Sequence, residues 1–211
     1  MSSDRPSDDP SSGPDAELAA RVKAGGPELL EAVERHLPGS RDHADGSAAY
    51  AFAAAVELEL ARDHAEAVRE AARLHEVGSV YVPAELGAKP AAELTAEERE
   101  LLDSRFARGA ELARGAGVPD RACEWIEASG ERFDGSGPSG LAGERIPVES
   151  RIVRVACVCD AALAAPAPAD GPPDARWRGA VDVLNNAAGS ELDPRVTAAL
   201  VAMLERAAAA P

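Results

Sequence analysis

Residues 126–153 are the most informative stretch of this chain. At their centre stands Glu131-Arg132-Phe133-Asp134-Gly135-Ser136-Gly137. Glycines let a backbone take up positive φ or come close to a ligand. Arg132 offers the forked donors that suit a phosphate or carboxylate. The segment therefore reads as a ligand loop built from Arg132, Asp134, Gly135, Ser136 and Gly137. It reads equally as a turn joining two helices, with Asp134 accepting from backbone amides. The residue types alone favour the turn.

Cys123, Cys157 and Cys159 contain no Cys-x-x-Cys pair, and Cys157-x-Cys159 is too close for an easy disulfide. An odd count, with no apolar leader at the N-terminus, points to a reducing cytoplasm. His36 and His64 fall on polar faces and are expected at the surface. Lys plus Arg is 22 and Asp plus Glu is 37, a net charge of −15. Such a surface repels phosphate backbones and anionic lipid, which argues against nucleic-acid and membrane partners. A small anionic nucleotide stays compatible, because a local arginine cluster can override the global field. The most apolar run, residues 48–56, is far short of the ~20 residues a membrane span needs.

The elements that must position these groups read as helices throughout. Aromatics make up 3% of the chain and alanine is abundant, a composition that suits close-packed helices. Residues 1–16, with three prolines, five serines and four aspartates, read as a disordered acidic tail. Helices are expected over 16–23, 27–36, 47–60 and 65–74. Thr95 and Glu98 form a capping box that opens a helix to about Arg114, with Leu102, Phe106, Gly109, Ala110 and Ala113 on its apolar face. Pro119 marks the first turn of a helix that carries Cys123 and Ile126 and ends near Ser129. Residues 149–163 are apolar around most of the helical circumference, which predicts a central buried helix. Residues 165–173 are a loop, 177–187 a helix. Asp193-Pro194 is an N-cap followed by a first-turn proline, turning Val196, Ala199, Leu200, Met203 and Leu204 inward. Glu144, Arg145 and Arg151 are expected in surface or inter-helix salt bridges.

The order of these motifs resembles the HD-GYP phosphohydrolases, bacterial enzymes that hydrolyse cyclic di-GMP at a cluster of metal ions. Leu74-His75-Glu76-Val77-Gly78-Ser79 resembles the family's Leu-His-Asp-Ile-Gly-Lys. Val82-Pro83 and Leu94-Thr95 follow in the family's order. Arg105-Phe106-Ala107-Arg108-Gly109 stands where the family has His-Pro-x-x-Gly. Arg151 to Ala161 resembles Arg-Ile-x-x-Val-Ala-Asp-x-Phe-Asp-Ala, and residues 189–196 resemble Gly-x-x-Phe-Asp-Pro-x-Val. Gly137-Pro138 stands for the family's Gly-Tyr-Pro, without the tyrosine. The resemblance covers roughly residues 43–204 and implies an all-α, HD-domain-like helical bundle. The segments are then a tail over 1–16, helices packing on the core over 17–40, and an HD-GYP-like domain over 41–206.

Carried over residue by residue, the resemblance implies a depleted metal site. His75 matches the motif histidine, and Glu76 replaces its aspartate with one extra methylene. His43 has the spacing of the upstream histidine. The lysine position is Ser79, Arg105 stands at a ligand position, Ser129-Gly130 replace a histidine pair, and Cys157 replaces the late aspartate. A bridged cluster needs several imidazole and carboxylate ligands converging from different helices. That need is not met. No cofactor is therefore expected, or at most a single zinc held by His43, His75, Glu76 and Cys157. In the ligand-loop reading, Arg105 joins Arg132 in supplying positive charge. The expected function is a degenerate, non-catalytic regulatory or protein-interaction module in bacterial signalling. Two alternatives stand beside it, a metal-dependent phosphohydrolase with a rebuilt site and a nucleotide sensor that does not hydrolyse.

Overall fold

The computed structural model describes residues 14–87, 89–166 and 174–208. Ten α-helices follow one another among them: α1 Pro14–Gly25, α2 Pro27–His36, α3 Ser40–Glu57, α4 Arg62–Arg73, α5 Ala84–Gly87, α6 Ala96–Gly115, α7 Asp120–Ala128, α8 Val148–Ala164, α9 Ala175–Ala187 and α10 Pro194–Ala208. Short 3-10 turns at Val77–Tyr81, Ala91–Glu93 and Gly143–Arg145 link them. The described residues contain no strand, only an isolated bridge between Ala188 and Leu192. The expected all-α bundle is the architecture found.

Local chemistry accounts for the helix starts. Thr95 Oγ1 accepts from the Glu98 amide at 3.2 Å, and the Glu98 carboxylate accepts from the Thr95 amide at 2.8 Å. Two amides at the start of α6 are thereby satisfied. Asp193 Oδ1 accepts from the amides of Arg195 at 2.7 Å and Val196 at 3.3 Å, which caps α10. Pro119 lies one residue ahead of α7, at its N-cap, rather than within its first turn.

The largest departure from expectation is α3, which begins at Ser40 and not at residue 47. Its start is capped from outside. The Glu34 carboxylate accepts from the amides of Gly39 at 3.0 Å and Arg41 at 2.9 Å, and from Ser40 Oγ at 3.3 Å. These bonds hold the Glu34 carboxyl below its usual pKa. The consequence for function is that His43 lies on a helix, not in a loop before one. The tail also differs: residues 14–16 belong to the first turn of α1, and 1–13 lie outside the described residues. So do 167–173 of the expected 165–173 loop.

The core sits where α8 crosses α3 and α4. Ile152, Val153, Val155, Ala156 and Cys159 of α8 are fully buried. They meet small side chains, Ala48, Ala51, Ala54 and Ala55 of α3 and Ala67, Ala71 and Ala72 of α4. Alanine at these positions lets helix axes approach closely while still removing apolar surface from water. A second close approach fixes the turn after α4. A Cβ at Gly78 would lie 1.8 Å from the Arg105 carbonyl oxygen, so the Val77–Tyr81 turn rests directly on the α6 backbone.

Candidate metal centre

Three ligand-bearing residues converge from three places in the chain. His43 comes from α3, His75 from the turn just after α4, and Cys157 from α8. Their donor atoms all lie within 4.8 Å of one another. The two imidazole rings meet edge to face, 5.3 Å between centroids. His75 is 3% exposed. Its Nδ1 donates to the Ala72 carbonyl at 2.7 Å, which leaves Nε2 as a bare lone pair. That Nε2 is buried and has no hydrogen-bond partner. His43 Nε2 lies 3.5 Å from Cys157 Sγ, while its Nδ1 donates to Asp160 Oδ2 at 2.7 Å.

The charge states follow from this crowding. Burial alone would depress the His43 pKa, but the Asp160 carboxylate and Cys157 outweigh it and push His43 up to about 10. Burial alone would raise the Cys157 thiol, yet His75 and His43 draw it down to about 6. His75 is raised in turn, with the Cys157 thiolate overcoming its burial. Without a metal ion Cys157 is thus held toward its thiolate and His43 toward its protonated form.

Glu76 does not join the three. His75 turns inward, and the next residue opens instead onto a cavity of about 140 Å³ that it lines with Ser79, Leu102 and Arg105. Arg105 Nη1 donates to the Leu102 carbonyl at 2.7 Å, and its guanidinium lies 4.2 Å from the Phe106 ring centroid. Burial holds Arg105 below the usual arginine pKa. Among the described residues it has no carboxylate in salt-bridge range.

Ser129 and Gly130, where the resemblance puts a histidine pair, are closely packed. Ser129 is buried and its hydroxyl donates to the Ile126 carbonyl at 2.7 Å. A Cβ at Gly130 would lie 2.3 Å from the Phe106 ring. An imidazole has no room there.

The three donors that converge among the described residues do not fit a multi-metal cluster. They do fit a single borderline-soft ion. Two imidazoles and a thiolate are zinc-type donors, and the orphaned, buried His75 Nε2 is a lone pair with neither a hydrogen-bond donor nor a metal ion against it.

The loop over 131–137 is tied down by its own neighbours. Asp134 Oδ1 accepts from the Ser136 amide at 2.9 Å and from Ser136 Oγ at 2.7 Å. Gly135 has φ +86°. The amides of Phe133 and Asp134 donate to the carbonyls of Glu191 at 3.1 Å and Ser190 at 2.8 Å. Arg132 is paired with Glu191 at 3.1 Å. Gly137 lines a groove along α6 with Ser104, Phe106 and Ala107, apart from the cavity of Arg105. The structure thus brings His43, His75 and Cys157 together, while Arg105 lines the cavity beside Glu76 and Arg132 pairs with Glu191.

Two expectations need correcting. His64 is half-buried: its Nε2 is 2.9 Å from Glu149 and its Nδ1 3.3 Å from Asp15, and the ring stacks on Trp125 at 5.6 Å. His36 Nε2 donates to the Val82 carbonyl at 2.9 Å in a half-buried contact. Polar sequence neighbours hid both contacts, because each partner comes from another helix or turn. Of the expected salt bridges, Arg151 pairs with Asp193. Sequence reasoning assigned no role to Asp160, although its i, i+3 spacing from Cys157 places both on one face of a helix.

The family described as HD domain matches residues 28–196. The cyclic di-GMP phosphodiesterase response regulator RpfG of Xanthomonas campestris pv. campestris is 33% identical over 145 residues, 65% of this chain and 37% of that protein. The 3'3'-cGAMP-specific phosphodiesterase 2 of Vibrio cholerae is 32% identical over 136 residues, 63% of this chain and 26% of that protein. The chain thus spans well under half the length of each of these relatives. Among solved structures, Bd1817, an HDG"Y"P protein from Bdellovibrio bacteriovorus, superposes with a TM-score of 0.65 at 18% identity, covering 93% of this chain and 66% of that one. At that identity the likeness speaks for the fold alone. No helix among the described residues is long and apolar enough to cross a membrane.

Proposed function

The chain belongs to the HD-domain family, and from that premise we propose that it is a degenerate HD-GYP-like domain that regulates rather than hydrolyses. In this reading it serves bacterial signalling in the cytoplasm with a protein as its partner, and residues 41–206 are the working unit. Three unpaired cysteines support the reducing compartment. One observation supports the reading without hydrolysis: a Cβ at Gly130, where the resemblance puts a histidine, would lie 2.3 Å from the Phe106 ring. Two-metal hydrolysis of a phosphodiester stabilises both the attacking and the leaving oxygen. A single ion cannot clamp both.

The site is proposed to hold one zinc through His43, His75 and Cys157. At such a centre zinc supplies Lewis acidity and a lowered pKa for bound water. The chain's own residues do the rest. His75 is locked by Ala72 with Nε2 facing inward, and Cys157 is already a thiolate near neutral pH.

A second reading has its own support. The relatives that match are named as cyclic-dinucleotide phosphodiesterases, and the convergence of three donors would serve a rebuilt mononuclear phosphohydrolase. One experiment separates the two. Metal content of protein purified without chelator is measured together with turnover of cyclic di-GMP and 3'3'-cGAMP. We expect at most one zinc per chain, released in His75→Ala, and no turnover. Two or more ions per chain, or metal-dependent turnover, would refute the regulatory reading.

A further inference from the structure

Gly46 sits inside α3, one turn beyond His43. Nothing local asks for glycine there. It is not at a helix end and is not among the positive-φ residues. In a helix interior glycine is less favourable than alanine by about 1 kcal/mol. The reason for it lies on α8. A Cβ at position 46 would fall 1.9 Å from Asp160 Oδ1 and 2.7 Å from Asp160 Cγ. The carboxylate rests on the space that the missing side chain leaves. From that seat its other oxygen, Oδ2, reaches His43 Nδ1 at 2.7 Å.

An imidazole has two nitrogens, and only the one without a proton can take a metal ion. A carboxylate on Nδ1 keeps the proton there and leaves Nε2 for the ligand side. In this chain Nε2 is the atom that faces Cys157. We propose that Gly46 and Asp160 together are the positioning pair of the centre: Gly46 makes room for the Asp160 carboxylate, and Asp160 fixes the tautomer and orientation in which His43 can bind zinc. This deepens the zinc reading given above and rests on it. Neither residue touches the ion. Both act through His43.

The geometry makes the idea unusually easy to isolate. The atoms that a Cβ at Gly46 would strike are the end of a flexible side chain, not backbone. Asp160 is half-buried, its side chain 17% exposed, and can swing toward solvent. A methyl group at 46 should therefore leave the helix intact and move only the carboxylate.

The test uses the full chain with Gly46→Ala, Asp160→Ala, Asp160→Asn and the double variant Gly46→Ala/Asp160→Ala. Gly179→Ala is the control, a glycine of α9 with open space around its Cβ. Zinc affinity is measured by competition with a chromophoric chelator. Cobalt substitution reports the thiolate-to-metal band, and thermal melts of zinc-free protein report the fold. Loss of such a partner typically weakens metal binding by about 10- to 100-fold. We expect that loss in Gly46→Ala and in Asp160→Ala, with melting temperatures of the zinc-free forms not lowered in Gly46→Ala. Asp160→Asn keeps an acceptor and should recover part of the affinity. The double variant should be no weaker than either single one, because both remove the same contact. Gly179→Ala should bind as the wild type does.

Wild-type affinity in Gly46→Ala, or additive losses in the double variant, would overturn the proposal while leaving the zinc reading intact. If the wild type takes up no zinc, the zinc reading falls, and proton–nitrogen NMR of the imidazoles decides the positioning claim alone. A bonded His43 Nδ1 proton must then be present in the wild type and absent in Gly46→Ala. Its persistence in that variant would end the proposal.

Discussion

Gly130 lies flat against the ring of Phe106, with room for no Cβ between them. The contact fills the place where the resemblance puts a histidine. Reintroducing an imidazole is therefore not a restoration. Overpacking of this kind typically destabilises by about 1–3 kcal/mol. We expect Gly130→His to lower the melting temperature and to bind no additional ion, both checked on one preparation by calorimetry and elemental analysis. A stable variant that gains a second ion would show that the old site is still open.

The three cysteines should differ sharply in reactivity. Cys157 is partly exposed, and although burial pushes its thiol up, the two imidazoles bring it down to about 6. Cys159 is buried, and burial together with Asp160 pushes it up to about 12. Thiolate is the reacting form, so its fraction at Cys157 is high above pH 6 and falls below it. In chelator-treated protein, iodoacetamide at pH 7 should label Cys157 first and leave Cys159 untouched. The rate should drop as pH falls through about 6, and added zinc should slow it. Peptide mass spectrometry gives the order, and labelling of Cys159 ahead of Cys157 would contradict the assignment.

Val155 is fully buried at the centre of α8. A carboxylate there would have neither water nor a cation, at a cost of several kcal/mol. Set against a total stability of about 5–15 kcal/mol, Val155→Asp should leave the chain unfolded or insoluble at 25 °C. Circular dichroism and soluble yield provide the check. A helical, soluble variant would mean that α8 is not the core helix.

Arg132 is engaged with Glu191, and the loop around it is held by backbone bonds. It is therefore a poor phosphate receptor. Calorimetric titration with cyclic di-GMP at low salt should give no measurable heat. Arg132→Ala should change stability by about 1 kcal/mol or less, as expected for a partly exposed ion pair. Micromolar affinity that disappears in Arg132→Ala would instead mark the protein as a nucleotide sensor.

The sequence by itself determined what depends on near neighbours. Thr95 with Glu98 and Asp193 with Pro194 announce helix starts because a cap needs only residues two or three positions away. The apolar circumference of α8 announces its burial for the same local reason. The order of the motifs was legible too, and with it the family. Only the tertiary structure decided the rest. Whether His43 meets Cys157 and Asp160 depends on how α3 crosses α8, more than a hundred positions apart in the chain. Glu76 looked like a ligand beside His75, but adjacent side chains at a turn point apart, so it opens onto a different cavity. The start of α3 was misplaced because its cap, Glu34, belongs to the preceding helix. Gly46 gave no signal at all: the space it leaves has meaning only once Asp160 has been brought against it.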